Sequence, residues 1–438
     1  MFIVYLKMVI IMHIEELYNK FLECSRISTD TRNVRGGELF FALKGASFDG
    51  NQYAESAFGL GAKYCVVDNE EIAKQNSAFI CVDDVLLTLQ KLALFHRKKM
   101  NIPVIAITGS NGKTTTKELV HAILSQKYKT AYTKGNLNNH IGIPLTLLEI
   151  QSNDEISIVE MGANHQKEIE SYCEYTRPDF GLITNIGKAH LEGFGGIDGV
   201  LKGKTELYQF LKSHNGKIFV NADEDRLVHA AREINYVFYS SEDPNSFVYG
   251  VIENQSTFLS VKYEGIIIQS NLTGNYNLYN ILSAICIGKY FGVELEHIKR
   301  AIESYFPTNS RSQVVEKYGN KWILDAYNAN PSSMEVSLSN LAIQIGYRIA
   351  FLGAMKELGI YSHQEHEHII QKAISLKIEK IILVGKEFEL LGKEYNLLYF
   401  ENSEQAHKWF WNQNIKNATI LLKGSRLIAL EKIFISNS

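Results

Sequence analysis

The apolar run VIAIT (104–108) passes directly into Gly109-Ser110-Asn111-Gly112-Lys113-Thr114-Thr115, and a helical pattern follows. Few sequence features restrict a chain more. A short strand built wholly of core-type residues belongs in a parallel sheet covered on both faces. The glycines let the backbone curl so that its N–H groups converge at a helix N-terminus, where the helix dipole also favours an anion. Lys113 brings positive charge to the β- and γ-phosphates of a nucleotide, and the Thr114 hydroxyl suits a Mg2+ ligand. The general phosphate loop has one more glycine, and Ile107 stands at its position here. Ser110, Asn111, Gly112, Lys113, Thr114 and Thr115 are therefore expected to hold the phosphates of a nucleotide.

The alternation of buried strand, glycine-containing turn and helix continues on both sides of that loop. ISIVEM (156–161), GLITNI (181–186) and KIFVNA (217–222) are expected strands of one parallel sheet. GIIIQ (265–269) adds another, joined to a long apolar helix. WILDAY (322–327), RIAFLGAM (348–355), KIILVG (380–385) and ATILLKGS (418–425) form a second strand series, after a break at Phe306-Pro307. Ahead of both, the short runs 39–43 and 64–67 with their turn residues read as a small α/β domain, closed by a Leu-rich helix over 86–99. At 438 residues the chain exceeds what one hydrophobic core organises. The expected fold class is thus α/β in three domains: a small N-terminal α/β domain (1–99), a central phosphate-loop parallel sheet (100–307), and a C-terminal Rossmann-like α/β domain (308–438).

Composition narrows the partners. A net charge of −3 provides no basic field for nucleic acid or anionic membrane. The five cysteines are scattered singly, with neither zinc spacing nor a disulfide framework, which fits a reducing cytoplasm. The opening MFIVYLKMVIIM is too short to span a bilayer and lacks a small-residue cleavage site, so translation is expected to start at Met8 or Met12. No membrane insertion is expected, and the chain is expected to act as a monomer.

The variant TGSNGKTTTKE, together with GNLNNHIGIP (135–144), EMGANH (160–165), NIGKAHLEGFG (185–195), DAYNANPSSM (325–334) and LLKGSR (421–426), resembles the Mur ligase superfamily, motif by motif and in order. Within that superfamily, which also includes folylpolyglutamate synthases, these motifs are most similar to the branch that adds D-alanyl-D-alanine to a tripeptide. STDTR (28–32), LFFALKG and FDG (48–50) resemble that branch's uridine-nucleotide domain. The resemblance implies ATP and Mg2+ as cofactors, and UDP-N-acetylmuramoyl-tripeptide and D-alanyl-D-alanine as substrates. The implied chemistry transfers the γ-phosphate to a carboxylate, forming an acyl phosphate that an amine then attacks. Such transfer needs positioning and charge neutralisation more than a protein nucleophile.

Glu160 ends one apolar strand and His190 follows another, so both are expected at the C-terminal sheet edge, where open α/β proteins bind ligands. The resemblance assigns both to Mg2+ and to catalysis beside Lys113. It also assigns Lys204 as a carbamylated metal ligand, a long anionic arm among cations. Asn277 and Asn280 are implied nucleotide contacts, with Asn280 suited to adenine because an amide both donates and accepts. Tyr276 stands where the family has His. Arg311 is implied to reach phosphate, and Asp325 ribose. Thr31, Arg32, Asp49, Gly50, Asn138, Asn139, Asn328, Asn330 and His366 are the implied substrate contacts. Asn330-Pro331-Ser-Ser equally suits a helix cap. The run His363, His366, His368 is interleaved with Gln and Glu, which reads as an exposed helix face and not a metal site. Ala354 replaces an Asp of the branch.

Two rival functions remain in view. Another amino-acid-adding Mur ligase or a folylpolyglutamate synthase shares the phosphate loop, but a folate enzyme has no need of a uridine-binding front domain. A nucleotide-dependent switch with decayed catalysis would not need Lys113, Glu160, His190 and Lys204 intact.

Overall fold

Strand Val104–Thr108 is buried at every position, and so is Ile156–Glu160, as an apolar run without alternation implies for a sheet covered on both faces. A computed structural model describes residues 13–255, 258–307 and 311–435. The expected start at Met8 or Met12, and Thr308 at the expected third-domain boundary, lie outside the described residues. The chain divides into two compact units. The first comprises residues up to Val104 with Ala131–Met161 and Ser171–Pro178, and the second comprises Ile105–Thr130, Gly162–Glu170 and Asp179 onward. The segment read as the C-terminal domain thus lies in the second unit, while the segment read as the central domain is divided, with Ala131–Met161 and Ser171–Pro178 in the first unit and most of the remainder in the second.

In the first unit a four-stranded parallel sheet runs in the order Ile27–Ser28, Leu39–Phe41, Tyr64–Val67, Phe79–Cys81. Phe40, Ala42, Ala54, Ala57, Cys65 and Val67 are among its core residues. The Leu-rich helix extends over Val85–Met100. It begins where the Asp84 carboxylate accepts from the Leu87 N–H at 2.7 Å. It ends at Asn101, left-handed at φ 44°, two residues before Pro103.

The second unit holds the strand carrying the phosphate loop. Phe180–Ile183 pairs with it in parallel, matching Phe180 to Ile105 and Ile183 to Thr108. Lys217–Asn221, Asn235–Ser240 and Val248–Gln255 continue the parallel series. Leu259–Tyr263 and Ile266–Gln269 then pair antiparallel; the second is the strand expected at 265–269, whereas the first and the antiparallel pairing were not expected. Their signal was local: Leu259, Val261 and Tyr263 alternate inward, and Glu264-Gly265 supplies two positive φ angles for a tight turn.

The apolar helix Asn277–Tyr290 packs on helix Lys113–Leu124 so closely that a methyl on Gly288 would sit 2.4 Å from Ile123. The last sheet runs Gln313–Lys317, Asn320–Asp325, Ala418–Lys423, Tyr347–Gly353, Lys380–Val384, Leu398–Phe400. It is parallel except at its first pair. Trp322, Phe351, Phe410 and Leu422 are central to its core. The α/β class and the Rossmann-like C-terminal sheet are as the sequence implies.

Candidate active site

The phosphate loop is a built structure. Gly109 and Gly112 adopt φ of 140° and 79°, which side-chain-bearing residues strongly disfavour. A methyl on Gly109 would lie 2.0 Å from the Thr184 hydroxyl oxygen, and one on Gly112 2.4 Å from the Asn280 amide oxygen. Residues 184–187 clamp the loop. The Thr184 hydroxyl donates to the Asn111 carbonyl at 2.6 Å, and the Asn185 amide donates to the same carbonyl at 3.0 Å. The Asn111 N–H donates to the Asn185 side-chain oxygen at 3.1 Å. Ser110 Oγ donates to the Gly187 carbonyl at 3.1 Å and accepts from its N–H at 2.9 Å. Lys113 opens the helix Lys113–Leu124, and its ammonium donates to the Gly109 and Ser110 carbonyls at 2.6 and 3.3 Å. Thr114 is buried, while Thr115 is only partly so. Loop, lysine and hydroxyl are together, as expected of a phosphate cradle.

Asn277 and Asn280 lie beneath the phosphate loop. Both amides are buried. Asn280 donates to Asn277 at 2.8 Å and accepts from the Thr116 hydroxyl at 3.1 Å, directly beneath Gly112. Asn277 donates to the Thr273 carbonyl at 2.8 Å. Both amides support the loop from below through these bonds. The Tyr276 hydroxyl hydrogen-bonds to Ser312.

Lys204 lies inside helix Ile197–Ser213 and is buried, whereas Lys202 is exposed. The Lys204 amine donates to the Ala163 carbonyl at 3.1 Å and lies 5.0 Å from the Phe194 ring centroid. Burial, helped by the charge of Lys113, holds its pKa well below the usual lysine range. His190 caps the short helix Leu191–Phe194 at φ 52°, and its Nδ1 is bonded to the Glu357 carboxylate.

The C-terminal segment contributes the rest. Asn330 forms a capping box with Ser333 and is followed by Pro331 at the first helical position, so the cap reading holds. Its amide nitrogen also donates to Asn111 at 2.8 Å, so this cap touches the phosphate loop. The Lys188 N–H donates to Ser332 at 2.9 Å, and the Lys188 ammonium pairs with Glu365 at 2.7 Å. Asp325 accepts from Ser312 N–H at 3.1 Å and from the Ser337 hydroxyl at 2.7 Å, and pairs with Lys423 at 3.0 Å. Lys423 also donates to the Asn328 carbonyl at 2.8 Å. The Arg311 guanidinium stacks 3.7 Å over the Tyr327 ring.

His366 corrects one sequence reading. It is completely buried, not part of an exposed face. Its Nε2 accepts from the Met355 N–H at 2.9 Å and its Nδ1 donates to the Ser362 carbonyl at 2.7 Å. With both nitrogens engaged, the ring fixes the segment after strand Tyr347–Gly353 and has no donor or acceptor left for substrate.

In the first unit, Asp30 caps the turn Thr31–Asn33 and pairs with Arg32 at 2.7 Å, leaving most of the Arg32 side chain exposed. Asp49 caps the next turn, accepting from Asn51 N–H at 3.0 Å. Gly50 is sterically required, because a methyl there would fall 2.2 Å from the Leu43 carbonyl oxygen. Asn51 joins Asp49 to Asp68, which also pairs with Lys44 at 2.8 Å. Glu160 is buried at the end of its strand and accepts from the Asn138 amide at 2.7 Å. Asn139 accepts from the Ile141 and Gly142 N–H groups, nucleating the helix Gly142–Leu148. Among the residues that the structure places against the loop and His190, sequence reasoning missed Thr184, Asn185 and Glu357. The first two follow a strand end, a signal that was available.

A strand–loop–helix phosphate cradle at a parallel sheet edge, joined to a Rossmann-like sheet, defines a phosphate-loop α/β nucleotide-binding protein. Three family profiles match: "Mur ligase family, catalytic domain" over 23–100, "Mur ligase middle domain" over 107–288, and "Mur ligase, glutamate ligase domain" over 310–426. The chain belongs to the Mur ligase family. It is 33% identical over 421 residues to the Bacillus subtilis UDP-N-acetylmuramoyl-tripeptide–D-alanyl-D-alanine ligase, covering 93% of this chain and 92% of that protein. A crystal structure of MurF from Acinetobacter baumannii superposes with a TM-score of 0.86 at 29% identity, covering 96% of this chain and 97% of that one. MurF ligase from Thermotoga maritima in complex with ADP gives a TM-score of 0.83 at 26% identity, over 94% and 97% of the two chains.

Proposed function

We propose that this chain uses ATP to join D-alanyl-D-alanine to UDP-N-acetylmuramoyl-tripeptide in peptidoglycan precursor synthesis. The observation that carries the reading is the clamped phosphate loop, set in a chain whose likeness to such ligases spans nearly its full length. The tripeptide carboxylate takes the γ-phosphate of ATP, giving an acyl phosphate and ADP. The D-alanyl-D-alanine amine then attacks the acyl carbon, and phosphate leaves. Lys113 and the loop N–H groups stabilise charge on the transferring phosphoryl group.

Thr114, Glu160, His190 and Lys204 as its carbamate are the residues proposed to hold Mg2+. The donor set fits. Among the described residues no group of three His, Cys, Asp or Glu is placed to hold a metal. Mg2+ is commonly held by one or two carboxylates with substrate phosphates and water. The buried Lys204 amine, biased toward its neutral form, is the species that CO2 carbamylates. When bound, Mg2+ would neutralise phosphate charge.

The first unit's turns at Thr31-Arg32 and Asp49-Gly50 are proposed to hold the uridine nucleotide. Asn138, Asn139, Asn328 and Asn330 are proposed near the peptide, and Arg311 and Asp325 near ATP. We propose functional boundaries at 99/100 and 307/308, action as a monomer, and a cytoplasmic location. Among the described residues no helix is long and apolar enough to cross a membrane. The deciding experiment measures ADP release with UDP-muramoyl peptides of each length, against D-alanyl-D-alanine or single amino acids. Turnover confined to tripeptide plus dipeptide is expected; preference for a shorter acceptor with a single amino acid would overturn the reading.

A further inference from the structure

His190 and Glu357 are 167 residues apart and meet side chain to side chain. Both hold left-handed backbone, at φ 52° and 61°, a conformation that side-chain-bearing residues seldom adopt and that persists only where the surroundings impose it. The surroundings here are explicit. The Ala354 N–H donates to the Val384 carbonyl at 2.8 Å. Met355 is held by the buried His366, and the Lys356 N–H donates to Ser425 at 3.0 Å. Lys356 also pairs with Glu387. Beyond them, the Glu192 N–H donates to the Glu357 carbonyl at 3.2 Å, binding the two segments a second time. The carboxylate is therefore delivered to the imidazole by a fastened loop.

An ionised carboxylate only accepts, so Nδ1 of His190 must carry the proton. The tautomer of a histidine is set by the partner of one ring nitrogen, and it decides what the other can do. We infer that Glu357 is a positioning residue for the reaction: it holds His190 in its Nδ1–H tautomer and fixes the ring plane. The Nε2 lone pair is then the atom that accepts or ligates. This rests on the proposed reaction only for its catalytic consequence, because the tautomer is a property of the full chain alone.

The test uses full-length protein with 15N-labelled histidine, with His190 signals assigned by their loss in His190→Gln. Long-range 1H–15N spectra of the unsubstituted chain are expected to show the Nδ1–H pattern at His190. Glu357→Ala should release it toward the Nε2–H form and lower kcat about 10–100-fold, as loss of such outer carboxylates does, with little change in KM for ATP. Glu357→Gln, whose amide oxygen still accepts, should keep the tautomer and most of the turnover; it also serves if the alanine chain folds poorly. An Nδ1–H pattern persisting in Glu357→Ala overturns the inference. So does an altered tautomer with unchanged kcat, or a Glu357→Gln chain that keeps the tautomer but loses as much turnover as alanine. If the proposed reaction itself is wrong, muramoyl substrates fail in every chain while the spectra still report on Glu357.

Discussion

Gly112 and Asn280 are in direct apposition: a methyl group on the glycine would stand 2.4 Å from the amide oxygen. That oxygen accepts from Thr116 on the helix that the loop begins, so the Asn277–Tyr290 helix underpins the curl of the phosphate loop.

Gly112→Ala should therefore suffer twice, from its φ of 79° and from the clash with Asn280. A destabilisation of about 1–3 kcal/mol and loss of most ATP turnover are expected. Gly265 provides the control, because its φ is 80° and an added methyl would meet nothing within 4 Å. Thermal melts and ADP release should show Gly265→Ala mildly destabilised and fully active. Equal activity in the two variants would count against the packing argument.

Arg32→Ala should weaken binding of the UDP-substrate and spare ATP. The side chain is 87% exposed and pairs with Asp30 at the surface, so its removal leaves folding intact. Calorimetric titration with each ligand distinguishes the outcomes. Reduced ATP affinity with unchanged UDP-substrate affinity would place the uridine site elsewhere.

Lys204→Ala should lose about a hundredfold or more of turnover, with partial recovery in acetate, whereas exposed Lys202→Ala should be nearly silent. Lys204→Met tests the same residue through stability. Burial depresses the pKa of Lys204, so below the usual lysine range the unfolded chain binds this proton more readily than the folded one, which costs the fold stability. Removing the amine should raise the melting temperature while abolishing turnover. A lowered melting temperature would show that the buried amine stabilises the fold.

Acid should destabilise the second unit through His121. Burial, with the charge of Lys117 adding to it, pulls its pKa from 6.5 down to about 4. The unfolded chain binds a proton below 6.5 that the folded ring refuses until about 4, so stability is full above 6.5 and declines between those values. Burial shifts His366 in the same direction. Melting curves of His121→Gln should show a shallower fall over that interval than the unsubstituted chain.

The legible parts of the site are those whose physics is local. Glycine at 109 and 112, a lysine at the helix start and the Asn330–Pro331 cap are written in adjacent residues, and each adopts the expected conformation. His366 was misread because Gln and Glu flank it in sequence. Its helical neighbours Ile369, Ile370 and Ala373 are buried with it, and that three-to-four spacing was the better guide. The bonds of Asn280 to Thr116 and Asn277 could not be read locally, because those partners meet it only within the core.

The sequence alone determined the α/β class, the main buried strands and the cradle for phosphate, since burial periodicity, glycine conformations and capping act over a few residues. Tertiary structure decided which side chains meet. Asn111 with Asn330, Thr116 with Asn280 and His190 with Glu357 lie 219, 164 and 167 residues apart. Nothing in the local chain distinguishes these partners from other amides, hydroxyls and carboxylates of the same kind. Sheet order and helix packing bring them together, because burying the apolar faces fixes the backbone and with it the few polar neighbours within reach of each group.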